Sequence, residues 1–256
     1  MIRSSLLFGM IALATALAFS QASAPSVFSW KQAPVVKRPN YEERTLMQGT
    51  TSHFSDIRIQ AITHYTKTSP EETQQLDEEA LVIIREGELT LTLGGKQKTL
   101  GPGSVVVLMP GDAFRLDNQT DQPLTYYFIR YTSNEMPDLD LYRLTGDSFW
   151  VDSRDVPYTP DDKGGIRRLF AAATVMNRRC EMNIMTLNPG IWRNPPHTHQ
   201  AAELLIILEN TALVHSDGEQ KRAEAGDVIF WDAGVAHAIQ NTMPEKCSYI
   251  ALHFQP

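Results

Sequence analysis

Three histidines and one glutamate in the C-terminal part of the chain have the residue types and spacing of a metal site. His197 and His199 are two residues apart, so on an extended strand both imidazoles point to the same face. Glu203 follows four residues later, an even step that returns to that face if the strand continues. His237 has to come from a different strand. We predict that these four side chains close around a single divalent ion.

The donor types in this set admit several metals. Imidazole suits zinc, copper, iron and nickel, and a carboxylate also suits manganese, so the ion is Fe, Mn, Zn, Ni or Cu. An octahedral ion with four protein ligands keeps positions open for water, substrate or oxygen, which is the arrangement of a reactive site. The alternative is that these are surface or core histidines whose spacing has no chemical role.

The composition excludes some classes of partner. The chain has 256 residues, of which 42% are hydrophobic and 21% charged, so it can bury a core as one large domain or two ordinary ones. The net charge of −7 argues against nucleic acid, whose recognition needs a basic surface, and against anionic membranes. A small molecule is the expected partner.

The first residues have the order of a secretory signal peptide. Arg3 precedes an apolar stretch over 6–19, which is short for a membrane span, and small residues follow it. We predict a signal peptide over 1–24 with an uncertain cleavage position, since Pro25 would hinder cleavage after Ala24. The protein is then secreted or periplasmic, with no stable membrane association after cleavage. An uncleaved anchor is the alternative.

Two cysteines, Cys180 and Cys247, lie in apolar strand-like runs. An oxidising compartment allows them to form a disulfide, but buried free thiols fit the pattern equally well. The spacing leaves both possibilities open.

Sliding the chain against itself reveals an internal repeat with an offset of 123 residues. The register holds without a gap from about residue 44 to 131 against 167 to 254. Identical pairs at this offset include three that favour turns: Gly103 with Gly226, Gly111 with Gly234, and Asn118 with Asn241. The chain is therefore predicted to contain two copies of one domain.

Each copy has the pattern of an all-β domain. Short β-branched runs, such as those over 81–93 and 104–108, are separated by Gly-Gly and Pro-Gly turns, with no helical period of useful length. Such strands predict a sandwich or barrel. We place the first domain at 40–131, a proline- and glycine-containing linker at 132–166, and the second domain at 167–256.

At this point the residues resemble the cupin superfamily, whose members are small jelly-roll β-barrels. Its first motif is matched by Gly190, His197, His199 and Glu203, with Asn210 where a glycine is usual. Its second motif is matched by Gly226, Gly234, His237 and Asn241, with Asp232 in place of a proline. The resemblance implies two tandem cupin barrels, with a metal bound in the C-terminal one by His197, His199, Glu203 and His237.

The first copy lacks the ligand set. The positions 123 residues before the four ligands hold Gln74, Leu76, Ala80 and Phe114. Three of these cannot bind a cation. The N-terminal barrel is therefore expected to fold without a metal and to act in packing, in shaping the rim, or in binding an organic ligand.

No general acid or base stands out in the sequence. His253, on the last strand-like run, is a weak candidate that could face inward or outward; the repeat aligns it with Arg130. His53 and His64 fall in the metal-free copy and are given no functional role.

The leading hypothesis is an exported, metal-dependent enzyme with one active site, acting on a small, chelating, oxygen-rich metabolite. The resemblance implies a reaction of the dioxygenase, isomerase, decarboxylase or hydrolase type. The alternative is a non-catalytic periplasmic cupin that binds a sugar or other small molecule. A homo-oligomer is plausible by analogy with two-domain cupins.

Overall fold

The structure is a computed structural model, and it describes residues 26–68, 72–136, 140 and 147–255. The predicted signal peptide over 1–24 lies outside these ranges. In the described residues, no helix has the length and apolar character needed to cross a membrane.

Nearly all regular structure in the described chain is β-strand, as expected for alternating β-branched runs cut by turns. The strands of the first half are β1 Ser26–Phe28, β2 Val35–Lys37, β3 Tyr41–Gly49, β4 Phe54–His64, β5 Glu79–Glu86, β6 Leu89–Leu93, β7 Lys96–Leu100, β8 Val105–Leu108, β9 Phe114–Asp117 and β10 Leu124–Ser133. Those of the second half are β11 Phe149–Val151, β12 Thr159–Asp161, β13 Gly164–Ala172, β14 Arg179–Leu187, β15 Ala202–Glu209, β16 Thr211–Ser216, β17 Glu219–Glu224, β18 Val228–Trp231, β19 His237–Gln240 and β20 Cys247–Gln255.

The positions of the strands follow the 123-residue repeat seen in the sequence. Strands β5, β8 and β9 coincide with β15, β18 and β19, residue for residue, when shifted by 123. Each half forms a seven-stranded and a three-stranded antiparallel sheet, ordered β11-β8-β5-β10-β4-β3-β2 with β7-β6-β9, and β1-β18-β15-β20-β14-β13-β12 with β17-β16-β19. The fold is thus all-β, with two tandem jelly-roll barrels.

The strand preceding each barrel pairs with the other barrel. β1 is hydrogen-bonded to β18 of the second half, and β11 is hydrogen-bonded to β8 of the first half. β1 and β11 are themselves related by the 123-residue offset, so the exchange is reciprocal. In its described part, the interval 132–166, predicted as a linker, contains β11 and β12.

Alternation along the strands sends side chains to two different cores. Even-numbered residues of β5 and β10 fill the N-terminal barrel with Val82, Tyr126 and Phe128, whereas their odd-numbered neighbours belong to a core that both halves share. That shared core includes an aromatic group of Phe54, Tyr131 and Phe254, and it holds the two large sheets together.

A buried glutamate also links the halves. Glu79 on β5 has no exposed surface, and it accepts a hydrogen bond from the Tyr131 hydroxyl of the same half. From the other half it accepts bonds from the backbone N–H of Met176 at 3.0 Å and from the Asn177 amide at 3.5 Å. Burial is the largest influence on the pKa of Glu79 and raises it. The hydrogen bonds from these donors lower the pKa but only partly offset the effect of burial.

One turn shows why asparagine can replace the usual glycine of the first motif. Asn210 has φ +60°, in the left-handed region that asparagine tolerates better than most residues. Its side chain donates to the Lys246 carbonyl at 2.7 Å. In the first half Gly87 takes the same position with φ +80°, where a Cβ would meet the Pro123 carbonyl oxygen at 2.2 Å.

The two cysteines are free, buried thiols. Cys180 belongs to the core shared by the halves, whereas Cys247 belongs to the interior of the C-terminal barrel. The structure therefore contains no disulfide between them.

Candidate metal centre

The segment carrying the first two histidines leads into strand β15 without being part of it. His197 forms a two-way backbone bridge with His237, with N···O distances of 3.1 and 2.9 Å, and β15 begins only at Ala202. A bend at Gln200 and Ala201 separates the histidines from Glu203. We predicted that Glu203 faces the same side as the two histidines if one extended strand runs through all three residues. The structure has no such strand. The bridge and the bend bring the side chains together instead.

The structure brings the four predicted residues to one place. The ring centroids of His197, His199 and His237 are 4.7–5.6 Å apart, and one nitrogen from each lies within 4.8 Å of the others. Glu203 Oε2 lies 3.2 Å from His199 Nε2 and 2.9 Å from His237 Nε2. His253, the weak candidate, joins this group, with its Nε2 3.5 Å from Glu203 Oε1.

Backbone carbonyls fix which nitrogen of each histidine faces the centre. The Nδ1 atoms of His197, His199 and His237 lie 3.1, 2.9 and 2.8 Å from the carbonyls of Pro195, Ala201 and Val235. A carbonyl can only accept, so each Nδ1 carries the proton. In the neutral tautomer, Nε2 therefore presents a lone pair. Metal-ligating histidines are usually held by such an outer hydrogen bond.

Glu203 is a buried carboxylate that remains ionised. Its exposure is 8%. Burial by itself raises its pKa, but the hydrogen bond from His199 and the charges of His237 and His253 outweigh that effect and lower the pKa to about 2. The same contact with Glu203 raises the pKa of His199.

The donor set fits a divalent ion. His237 Nε2 is buried and has no hydrogen-bond donor among the described residues, since the group 2.9 Å away is a carboxylate oxygen of Glu203. An unsatisfied buried acceptor is costly. An ion coordinated by the converging Nε2 atoms and the carboxylate would satisfy it.

The walls of this centre differ in polarity. Trp231 on β18 stacks on His237, with centroids 4.5 Å apart and an interplanar angle of 20°. On the opposite side, Glu181 on β14 pairs in register with His253 on β20, and Asn183 donates to Glu181 at 2.8 Å. The polar side is the part of the centre suited to oxygen-rich groups.

The N-terminal barrel keeps the backbone of the site without its donors. Gln74 and Phe114 form the same two-way bridge as His197 and His237, with N···O distances of 2.8 and 3.0 Å. Gly111 N donates to the Leu76 carbonyl as Gly234 N donates to that of His199. The side chains of Leu76, Ala80 and Phe114 offer no metal ligand.

Sequence reasoning missed a contribution from the first half. His53 Nε2 lies 3.0 Å from the carbonyl of Gln200, the residue after His199. Its neighbour Ser52 donates through both its backbone N–H and its hydroxyl to Asp232, which precedes His237 by five residues. The loop between β3 and β4 thus supports both ligand-bearing segments. Only the spatial contact between the halves reveals this, since the repeat aligns His53 with Met176.

The sequence matches a known protein family. The cupin domain family matches at residues 65–130 and 183–253, just over half of the sequence, so the protein belongs to that family. The two matches fall in the two barrels, which confirms the two-domain cupin architecture. No curated protein matches the sequence.

Solved structures show the same two-barrel fold at low sequence identity. AerE from Microcystis aeruginosa superposes with a TM-score of 0.67 at 15% identity, covering 88% of this chain and 97% of its own. Oxalate decarboxylase from Lactobacillus farciminis, in complex with formate, gives 0.70 at 13%, covering 90% and 86%. Bacillus subtilis oxalate decarboxylase, described with Mn(II) centres, gives 0.69 at 11%, covering 92% and 78%.

Proposed function

We propose that this protein is an exported, metal-dependent two-domain cupin enzyme that acts on a small, chelating, oxygen-rich metabolite. The convergence of His197, His199 and His237, each with Nδ1 held by a carbonyl, carries the proposal. These residues and Glu203 would hold one ion of Fe, Mn, Zn, Ni or Cu. Such an ion polarises carboxylate, carbonyl or hydroxyl oxygens and lowers the pKa of bound water.

We assign His253 to proton transfer beside the ion. It faces the barrel interior next to Glu203 and is partly exposed, with 27% of its side chain accessible. Glu181 lies opposite it across the strand pair and places a negative charge near the imidazole. His253 can thus hold or deliver a proton at Nε2 while the other three histidines bind the metal.

The remaining parts of the proposal concern location and assembly. The signal-peptide pattern over 1–24 supports secretion or a periplasmic location. The acidic composition supports a small-molecule partner rather than nucleic acid. A homo-oligomer is proposed by analogy with other two-domain cupins.

Turnover by the metal-loaded protein tests the enzyme proposal. Protein reconstituted separately with Mn(II) and Fe(II) is incubated with oxalate, short 2-hydroxy acids and vicinal diols, with oxygen uptake and product formation followed together. We expect turnover of at least one probe class. His253→Gln should lower kcat about a hundredfold or more, the range of a lost general acid or base, while one metal remains bound.

The matched control is His215→Gln, a histidine on the outward face of β16. It should keep both metal and turnover. Tight probe binding without product in the wild type would contradict the enzyme proposal and favour the binding protein. Loss of metal in His253→Gln would instead make His253 a ligand.

A further inference from the structure

Two arginines lie in the N-terminal barrel at positions that the repeat relates to the metal centre of the C-terminal barrel. Arg58 on β4 and Arg130 on β10 are directly opposite each other in the antiparallel register. Both are even-numbered, as are Ile62, Tyr126 and Phe128, which line the barrel interior. The repeat relates Arg58, Arg130 and Ala80 to Glu181, His253 and Glu203. Two guanidinium groups thus replace the acid-rich wall of the metal centre.

Between them, the two arginines have a single acidic partner among the described residues. Arg130 lies 3.5 Å from Glu78, whereas Arg58 has no ion pair with any described residue. The Nε atoms of both are buried and make no hydrogen bond in the part of the chain that the structure describes. Gln60, the next inward residue on β4, already binds the nearby carboxylate Glu43. Like charges on directly opposed strand positions destabilise a sheet, so this arrangement calls for an anion.

The surroundings select the kind of anion. Glu78 pairs with Arg130 and Glu43 is hydrogen-bonded to Gln60, which leaves the Arg58 guanidinium without an acidic partner among the described residues and favours a ligand with a single negative charge. Arg130 lies over the Phe128 ring at 5.5 Å, and the residues at the lost ligand positions, Leu76 and Phe114, are apolar. A charged head with a small apolar body fits these groups better than a highly charged inorganic anion.

We propose that the mouth of the N-terminal barrel binds a small organic monocarboxylate between Arg58 and Arg130. Guanidinium groups hold carboxylates through paired, charge-assisted hydrogen bonds. The side chains of Arg130 and Glu78 are 25% and 29% exposed, so a ligand can reach the site from solvent. The site is independent of the metal and of the proposed enzymatic function.

Calorimetry with propionate, in the His199→Ala background that disables the metal centre, tests this site. We expect one saturable binding event per chain at low ionic strength. Arg58→Gln and Arg130→Gln should each weaken binding about tenfold or more, the scale of one lost charge-assisted hydrogen bond. Arg115→Gln is the matched control, since Arg115 pairs with Asp117 on β9, and it should bind propionate as before.

Thermal unfolding without ligand separates binding from a structural role. Because the two guanidinium groups repel each other, Arg58→Gln should keep or raise the midpoint of unfolding. A lowered midpoint together with unchanged propionate binding would overturn the proposal. Absence of saturable binding would do so as well, and inorganic phosphate binding as tightly as propionate would overturn the choice of a carboxylate.

Discussion

Replacing Glu203 by glutamine is expected to weaken divalent-metal binding by at least about a hundredfold, beyond the loss typical of groups that only support a ligand. The substitution removes the only carboxylate oxygens facing His199 and His237 in the described centre. A glutamine amide is neutral and presents a single oxygen. The measurement is a competition titration against a chromophoric chelator, with Mn(II) and Zn(II) tested separately.

The pKa of Glu203 predicts a second effect of this variant. A carboxyl whose folded-state pKa is lowered, here to about 2, contributes stability above its unfolded pKa and loses it as the pH falls. The metal-free variant should therefore be less stable than the metal-free wild type at pH 7. Glu219→Gln, an exposed change on β17, is the control and should alter neither property. Unchanged metal affinity in Glu203→Gln would remove this carboxylate from the ligand set.

Replacing Glu79 by alanine should lower the free energy of unfolding by about 3 kcal/mol, because it leaves several buried donors unsatisfied. Tyr131, Met176 and Asn177 all donate to this carboxyl, and the last two belong to the other half of the chain. The loss therefore also weakens the contact between the barrels. Urea denaturation followed by circular dichroism measures it.

The pH dependence of this stability has a defined sign. Burial raises the pKa of Glu79 in the folded protein, so its stabilising contribution is complete below the unfolded pKa of about 4.3 and declines as the pH rises through the folded value. Relative to Glu79→Gln, the wild type should lose stability as the pH increases. Glu86→Ala, exposed on the same strand, should change stability by less than about 0.5 kcal/mol. Equal effects of Glu79→Ala and Glu86→Ala would contradict the role of the buried network.

The repeat and the strand pattern predicted two all-β domains, and the resemblance to cupins supplied the choice of jelly-roll barrels over a sandwich. Strands β5 and β15 are displaced by the same 123 residues that relate Gly103 to Gly226. The division of strand residues between the barrel interiors and the shared core was not predicted and follows from how the two large sheets pack. The exchange of β1 and β11 between barrels has no comparable signal, since three-residue strands depend on the edge that they meet rather than on their own sequence.

The donor residues of the candidate site could be predicted from the sequence, whereas the groups that hold those side chains in place could not. The spacing of His197 and His199 is visible in the sequence, whereas the carbonyls that bind their Nδ1 atoms depend on the bridge to His237 and the bend at Gln200. The inward direction of His253 follows from its pairing with Glu203 on β15. The role of His53 depends on how the two halves pack.

Counting metal ions per chain tests the central proposal most directly. Inductively coupled plasma mass spectrometry of the purified protein, before and after reconstitution, should find about one divalent ion per chain, and none in His199→Ala. That result follows from a complete donor set in the C-terminal barrel and from Leu76, Ala80 and Phe114 in the other. Two ions per chain, or none after reconstitution, would contradict the proposal.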